Sequence, residues 1–423
     1  MPVAMASFDA ERLDSPEAAI ARVATRLGPS ADELGGERIP LGAARGRVLA
    51  EAVRADRDSP PFDHSAMDGY AVRLSDLEEG RELPVLGESR TGRAAPVMPS
   101  ARGCLRIATG APRPNGSDAV VKREDVREHL DERTGEVVRI SIADDASPRM
   151  GDHWRLRGEN ARAGDVLLDA GAPIDAAAAA TLAACGIARP LVRPPVRLAI
   201  LTTGDEVVPI DRLPQPTQIR NSNGSALAML FASRPWIEVA QVEHVEDDLD
   251  RLERSLAEAI ASHHAVVLTG GVSMGHRDLV RAAIESRGAE ILFHRLPQRP
   301  GRPMLGAIAG TDARPVPVFG LPGNPLSALT TARRIVLPAL AAIAGLALRP
   351  PREVTVRAEG ELAPAAVWRF QLATLEADGA ARLLPFRSSG DLAAAGRSDG
   401  FVEFEPNARF EPGRRYAFFA WDS

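Results

Sequence analysis

Ala265-Val266-Val267-Leu268-Thr269-Gly270-Gly271-Val272-Ser273-Met274-Gly275-His276-Arg277-Asp278 decides how this chain reads. Apolar residues run without alternation into a double glycine, a hydroxyl, a third glycine and an acid, after which a helical pattern begins. A strand buried on both faces has this continuous apolar character, and a turn and helix follow it. Glycines at such a turn let backbone approach a ligand, and the next helix aims its free N–H groups at whatever lies there, most often a phosphate. The same glycines also fit a plain strand–helix turn. His276 lies in this turn; lone histidines are usually structural or solvated.

Two further segments share this grammar. Val316-Pro317-Val318-Phe319-Gly320-Leu321-Pro322-Gly323-Asn324-Pro325 places a proline at a first helical position with Asn324 before it as cap. Val196-Arg197-Leu198-Ala199-Ile200-Leu201-Thr202-Thr203-Gly204-Asp205-Glu206 ends on hydroxyls, a glycine and two acids. Three strand ends carrying small, hydroxyl and acidic residues fit the rule that open α/β sheets bind ligands beyond the carboxyl ends of their strands.

Outward from this centre, residues 194–345 alternate strand and helix, with helices expected at 222–233, 247–262, 277–287 and 325–343. That order predicts a three-layer α/β domain with a mostly parallel sheet. Residues 15–26 read as an amphipathic helix capped by Ser15, 43–52 as a second short helix, and 174–185 as a third ended by Gly186. These place a helical linker or dimerisation region in residues 1–54 and 163–193. Residues 55–162 carry strand-sized runs at 83–86, 104–108, 119–122 and 137–142 between turn residues, which is a β-rich insertion. Residues 346–423 show apolar alternation and no convincing helix, which predicts a small barrel or sandwich.

The composition narrows function. The 423 residues carry a net charge of −6, which gives no support to a nucleic-acid role. Two cysteines, Cys104 and Cys185, make neither a disulfide framework nor a thiolate metal cluster. No apolar run reads as long and pure enough for a membrane span, and no export signal is evident, so a cytoplasmic protein is expected.

A fourth segment, Pro61-Phe62-Asp63-His64-Ser65-Ala66-Met67-Asp68-Gly69-Tyr70-Ala71-Val72, joins the other three in a resemblance. Together they resemble the molybdopterin molybdotransferase family, of the MoeA and gephyrin E-domain type, from about residue 16 to the C-terminus. The resemblance implies a homodimeric enzyme that inserts molybdate into adenylylated molybdopterin with a divalent cation, Mg2+, and releases AMP. It also brings in the adenylyltransferase of the same pathway and client molybdoenzymes as partners. Acids matching family active sites are Asp68, Glu206, Asp247 and Asp278, with Glu206 and Asp278 as the metal pair. Asp247 reads equally well as a helix N-cap.

That chemistry needs phosphate held, repulsion between two anions neutralised, and carboxylates for a hard cation. Gly270, Gly271, Ser273, Gly323, Asn324 and Ser327 suit the first task at helix N-termini, with Thr203 and Gly204 adding backbone donors. Thr109 matches a hydroxyl of the family pocket. Arg295, Arg299 and Arg302 stand where the family usually has lysines, exchanging a point charge for a planar fork. Two departures bear on turnover. Asn160 replaces a common Asp and can neither carry charge nor act as a base. Around Phe370 only Arg369 remains of the family's arginines, in a shifted place, and Ser388-Ser389 stands for its serine run. A binding or delivery protein with weak or no turnover is therefore the alternative reading, and a dimeric scaffold the third.

Overall fold

The computed structural model describes residues 15–27, 35–271, 279–346, 350–358 and 363–422. By contact these fall into two compact units, one built from residues up to 51, 170–180 and 188 onward, the other from 52–169 and 181–187.

The first unit is organised by a six-stranded sheet. Its order is Ile237–Val245, Val196–Thr203, Ala265–Thr269, Arg314–Leu321, Leu305–Thr311 and Glu290–His294. The first four strands are mutually parallel, and Leu305–Thr311 alone runs antiparallel to both of its neighbours, so the sheet is more mixed than its strand–helix alternation suggested. The central strands, 265–269 and most of 196–203, are buried on both faces, as their unbroken apolar runs require. One face is covered by helices Leu249–Ser262 and Leu279–Ser286. The other receives Pro16–Leu27, Ser222–Ala232 and the run 325–343. The N-terminal helix starts under a Ser15 cap, whose Oγ accepts from the Ala18 N–H at 3.1 Å, and buries Ala19, Val23 and Leu27 at one-turn spacing.

Several local expectations are corrected. Residues 43–52 form no helix: a short 3-10 turn, Leu41–Ala43, is followed by extended chain. The Gly46 and Leu49 N–H groups go to the carbonyls of Ile174 and Ala172, and Ala50 N–H to Leu191. Pairing with a distant segment has overridden local helix propensity. The helix beginning near 247 starts at Leu249, and its cap is Asp248, which accepts from Arg251 N–H. The 325–343 helix passes through a π turn at Ala332–Val336. It is long and apolar enough by composition to cross a membrane, contrary to the sequence reading, but it is mostly buried in the protein core.

Beyond the sheet, Arg352–Arg357, Trp368–Leu375, Ala381–Leu383, Gly400–Phe404 and Arg415–Ala420 pair in a ring, since 368–375 bonds to both 381–383 and 400–404. The C-terminal segment is thus a closed five-stranded barrel, which removes its free edges. It also carries one short helix, Leu392–Ala395, capped by Asp391. The barrel is tied to the π turn by a buried ion pair. Arg334 donates from Nε and Nη2 to the two Glu403 oxygens at 2.6 and 3.1 Å, lies 4.8 Å over the Phe419 ring, and also pairs with Glu17.

The second unit is a six-stranded sheet ordered Ala119–Lys122, Gly69–Val72, Cys104–Ile107, Glu82–Ser89, Val137–Ile142 and Val126–Leu130. Tyr70, Leu83, Cys104, Val121 and Ile140 make its core. Burial pushes the Cys104 thiol up to about 12, which leaves it an unreactive core residue. Gly69 is a packing necessity, because a Cβ there would lie 2.0 Å from the Val121 carbonyl oxygen.

Removing Glu403 leaves the buried Arg334 with only the exposed Glu17 as counter-charge. Glu403→Ala is expected to destabilise by about 3–5 kcal/mol, read as a lowered urea midpoint, while Arg334→Met with Glu403→Leu recovers most of the loss. An unchanged midpoint in Glu403→Ala would show that the pair does not hold the barrel.

Candidate functional site

Parallel register brings the three diagnostic strand ends level. Thr202 pairs across from Thr269, and Thr269 across from Leu321. Where these strands stop, the chain turns through Thr203-Gly204, Gly270-Gly271 and Pro322-Gly323-Asn324, and the three turns line one cavity of about 410 Å3. Glu206 and Asp247 line it as well. Gly270 has φ +103°, and a Cβ there would meet Thr203 Oγ1 at 2.5 Å, so the fold itself demands glycine. Gly323 differs. A Cβ there would touch nothing closer than Gly270 Cα at 3.6 Å, an ordinary contact. The fold leaves room for a side chain at 323, so its bareness is available to a ligand.

Asn324 stands at the N-cap position of helix Pro325–Thr331, as read from the sequence, yet its side chain makes no capping bond. It lines the cavity instead. Sequence reasoning missed Asn221 and Asn223, which also line it. Asn221 caps helix Ser222–Ala232 by accepting from Gly224 N–H and donates to Thr202 Oγ1 at 2.9 Å. Asn223 donates from Nδ2 to Thr269 Oγ1 at 2.9 Å and to the Gly323 carbonyl at 2.8 Å. A carbonyl can only accept, so the amide orientation is set and Oδ1 is left without a partner. Thr203 Oγ1 is a second buried polar atom with none. Unsatisfied buried polar atoms are costly in a finished core and mark a place completed by something else. The signal for both asparagines was the Asn-Ser-Asn cluster at 221–223 before a helix.

The charged residues lining this cavity are Glu206, Asp247 and Arg220, the last donating from Nε to Arg212 O. Asp205 Oδ1 accepts from the Asp247 N–H at 3.0 Å. Asp247 is held above the usual carboxylate range, first by desolvation, then by the negative charge of Asp205 and, less, of Glu206. Crowded carboxylates that resist ionisation suit a hard cation. Among the described residues no group of three or more His, Cys, Asp or Glu is placed to hold a metal ion unaided. Asp278, Ser273 and His276 lie outside the described residues.

A second cavity, of about 770 Å3, adjoins the first and shares Pro303, Pro322 and Asn324 with it. It lies against the barrel. Gln298–Arg299 forms a short strand parallel to 368–375, setting Arg299 opposite Arg369. Arg302, Ser327, Arg387, Ser388 and Ser389 also line it, and no carboxylate does among the described residues. Arg369 stacks 5.0 Å from the Phe404 ring and donates to the Ala363 carbonyl. Arg299 and Arg302 therefore meet the serines the sequence had set apart as a departure. Arg295 joins neither cavity; it is exposed, with φ +65°, and its N–H bonds to Met304 O.

In the other unit, Asp68 and Thr109 meet. Asp68 Oδ1 accepts from both Thr109 N–H, at 2.7 Å, and Thr109 Oγ1, at 2.8 Å. These two bonds, aided by Arg123 and Arg106, hold the carboxyl below its usual range. Asp68 is thus a fixed, exposed carboxylate. Asn160 is also exposed, and its N–H bonds to Ser59 O.

The arrangement finds its counterpart among known proteins. Residues 15–186 match the MoeA N-terminal region, domains I and II, and residues 199–342 a probable molybdopterin binding domain. A molybdopterin molybdenumtransferase of Nostoc is 37% identical over 332 residues, 77% of this chain and 74% of its own. One from Synechocystis is 30% identical over 380 residues, 89% and 93%. The molybdopterin biosynthesis MoeA protein of Pyrococcus horikoshii superposes with a TM-score of 0.72 at 27% identity, over 98% of this chain and 100% of its own.

The raised Asp247 carboxyl has a consequence for stability. An acid whose folded pKa is raised costs nothing below its unfolded pKa, and the full cost appears above the folded one. Asp247→Asn should therefore raise Tm by about 1–3 °C at pH 7, with the gain fading as the pH falls toward 4. Magnesium should raise the wild-type Tm at pH 7 more than that of the variant. A variant no more stable than wild type at pH 7 contradicts the crowding.

Proposed function

This chain belongs to the molybdopterin molybdenumtransferase family of the MoeA type, and from that membership we propose that it inserts molybdate into adenylylated molybdopterin and releases AMP. It is a transferase of molybdenum cofactor biosynthesis. The observation that carries the finer reading is the pair of adjoining cavities of opposite character. One is lined by bare turns and carboxylates, the other by arginines and serines without an acid among the described residues.

The turn amides at Gly270, Gly271 and Gly323 and the unpartnered Thr203 hydroxyl suit the phosphates of a pterin nucleotide, while Asn223 Oδ1, an acceptor, suits an N–H or O–H of the same ligand. Glu206 and Asp247, with Asp205 behind them and Asp278 from the following segment, are the residues to hold Mg2+. A hard cation held by these carboxylates would supply neutralisation of charge at the substrate's phosphates. Two anions, the oxyanion and the dithiolene-bearing substrate, must be brought together, and Arg299 and Arg302 offset their repulsion from the second cavity. Asp68 and Thr109, pre-bonded to each other, are further substrate-contact residues in this reading. Asn160 supplies no charge, but the retained carboxylates and the curated relatives favour the enzyme over a binding or delivery protein.

The decisive measurement is reconstitution with purified protein, adenylylated molybdopterin, molybdate and magnesium. AMP release is expected, and Glu206→Gln should cut its rate about 100-fold or more with Tm and pterin-nucleotide binding retained. Binding without AMP release in the wild-type protein overturns the transferase reading in favour of a carrier.

The protein is also proposed to be a homodimer. Ile237–Val245 is an edge strand, and beside it Ile210 and Val242, exposed 60% and 50%, line an apolar groove. Apolar groups flanking a free strand edge are better covered than left in water. Light scattering should give twice the chain mass for wild type and a shift toward monomer for Val242→Arg. A monomeric wild type at micromolar concentration refutes the dimer.

A further inference from the structure

We infer that Arg387 is a further substrate-contacting residue, whose guanidinium binds the oxyanion in the arginine-lined cavity. The inference rests on reading that cavity as the molybdate site.

Four observations carry it. First, Arg387 is exposed and lines the cavity, and among the described residues its guanidinium makes no hydrogen bond or ion pair. Most arginines of this fold are spent otherwise: Arg334 on Glu403, Arg357 on Glu376 and Asp378, Arg382 on Glu376. Arg387 does act at a distance on Asp391. That carboxylate is already engaged by backbone, accepting from Arg387 N–H at 3.1 Å and Ala394 N–H at 3.0 Å.

Second, the backbone that carries Arg387 is pinned on both sides. Leu384 N–H bonds to Leu372 O and Gln371 Nε2 to Leu384 O. Ser389 O accepts from Leu326 N–H in the first turn of helix Pro325–Thr331. A loop fixed at the barrel and at the α/β layer presents its side chain without paying for its own ordering.

Third, among the described residues the barrel lines this cavity with one other cation, Arg369, whose Nε also lacks a hydrogen-bond partner but is buried. Arg369 is half-buried, stacked on Phe404 and bonded to Ala363 O, and burial lowers its basicity. Leu372, on the same strand, is apolar and fully buried in the barrel. Of the two barrel cations lining the cavity, Arg387 is the exposed one. Fourth, with Arg299 and Arg302 it gives three planar forks around a space free of described carboxylates. Forks of this kind bind tetrahedral oxyanions through paired, charge-assisted bonds.

The test is calorimetric titration of the full-length protein with sodium molybdate at fixed ionic strength, beside steady-state AMP release. Arg387→Ala should weaken molybdate binding about 10- to 100-fold. The KM for molybdate should rise, and kcat at saturating molybdate and the Tm should be unchanged. Arg387→Lys, which keeps charge without the fork, should fall between. Arg382→Ala, on the barrel but outside both cavities, serves as the neutral control. If Arg387→Ala binds molybdate within two-fold of wild type while Arg302→Ala is weakened, the assignment of Arg387 fails and the cavity keeps its role. If neither Arg302→Ala nor Arg299→Ala weakens binding, the cavity is not the molybdate site and the inference falls with it.

Discussion

The level register of three parallel strands is the constraint on which the first unit depends. Thr202, Thr269 and the end of strand 314–321 stand side by side, so three separate turns open at one height. Strands buried on both faces cannot slip, because any shift would exchange packed apolar side chains on two layers at once. The same burial that stabilises the sheet thus fixes the relative positions of Gly270, Gly323 and Thr203 to within a ligand's tolerance. Helices capped by Asn221 and Asp248 then start beside these turns.

A second constraint sets the barrel. Arg334 reaches Glu403 from a π turn, an irregularity that inserts one extra residue into the helical repeat and re-aims the side chains after it. Pairing inside the protein is costly in desolvation and is kept where it specifies geometry. Here the geometry is the angle at which the barrel meets the 325–343 helix. That angle determines whether Ser388, Ser389 and Arg387 face Arg299 and Arg302. The arginine-lined cavity therefore depends on this junction, which the packing of Leu326 among Phe370, Leu372 and Phe419 and the pairing of 298–299 with the barrel also hold.

The two cavities divide the labour that the chemistry requires. Glu206 and Asp247 stand on one side with Arg220, and on the other stand Arg299, Arg302, Arg369 and Arg387, with no carboxylate among the described residues. Keeping these sets apart avoids mutual neutralisation, which would leave neither able to bind its ligand. Prolines 303 and 322 and Asn324 form the shared wall, a stiff boundary carrying one uncommitted amide. The replacement of lysine by arginine at 299 and 302 fits this division, since a fork gains more than a point charge from a fixed oxyanion partner.

The sequence by itself determined the layered α/β plan, the turn that each glycine serves, and which residue types could hold phosphate, cation and oxyanion. Those properties are local: period, caps and turn chemistry are written within ten residues. It also carried the family, through the 61–72 and 321–325 runs. What it could not determine was which side chains share a space. Helix propensity at 43–52 lost to hydrogen bonds with residues 172–174 and 191, more than a hundred positions away. Asn223 went unmarked in the sequence, and only the fold shows Thr269 and Gly323 taking both of its amide hydrogens. Arg295 and Arg299 looked equivalent four residues apart, yet only Arg299 was drawn into the barrel's edge. Arg387 had no motif to announce it. Such assignments depend on contacts between segments far apart in the chain, and the packing of strands, barrel and helix decided them.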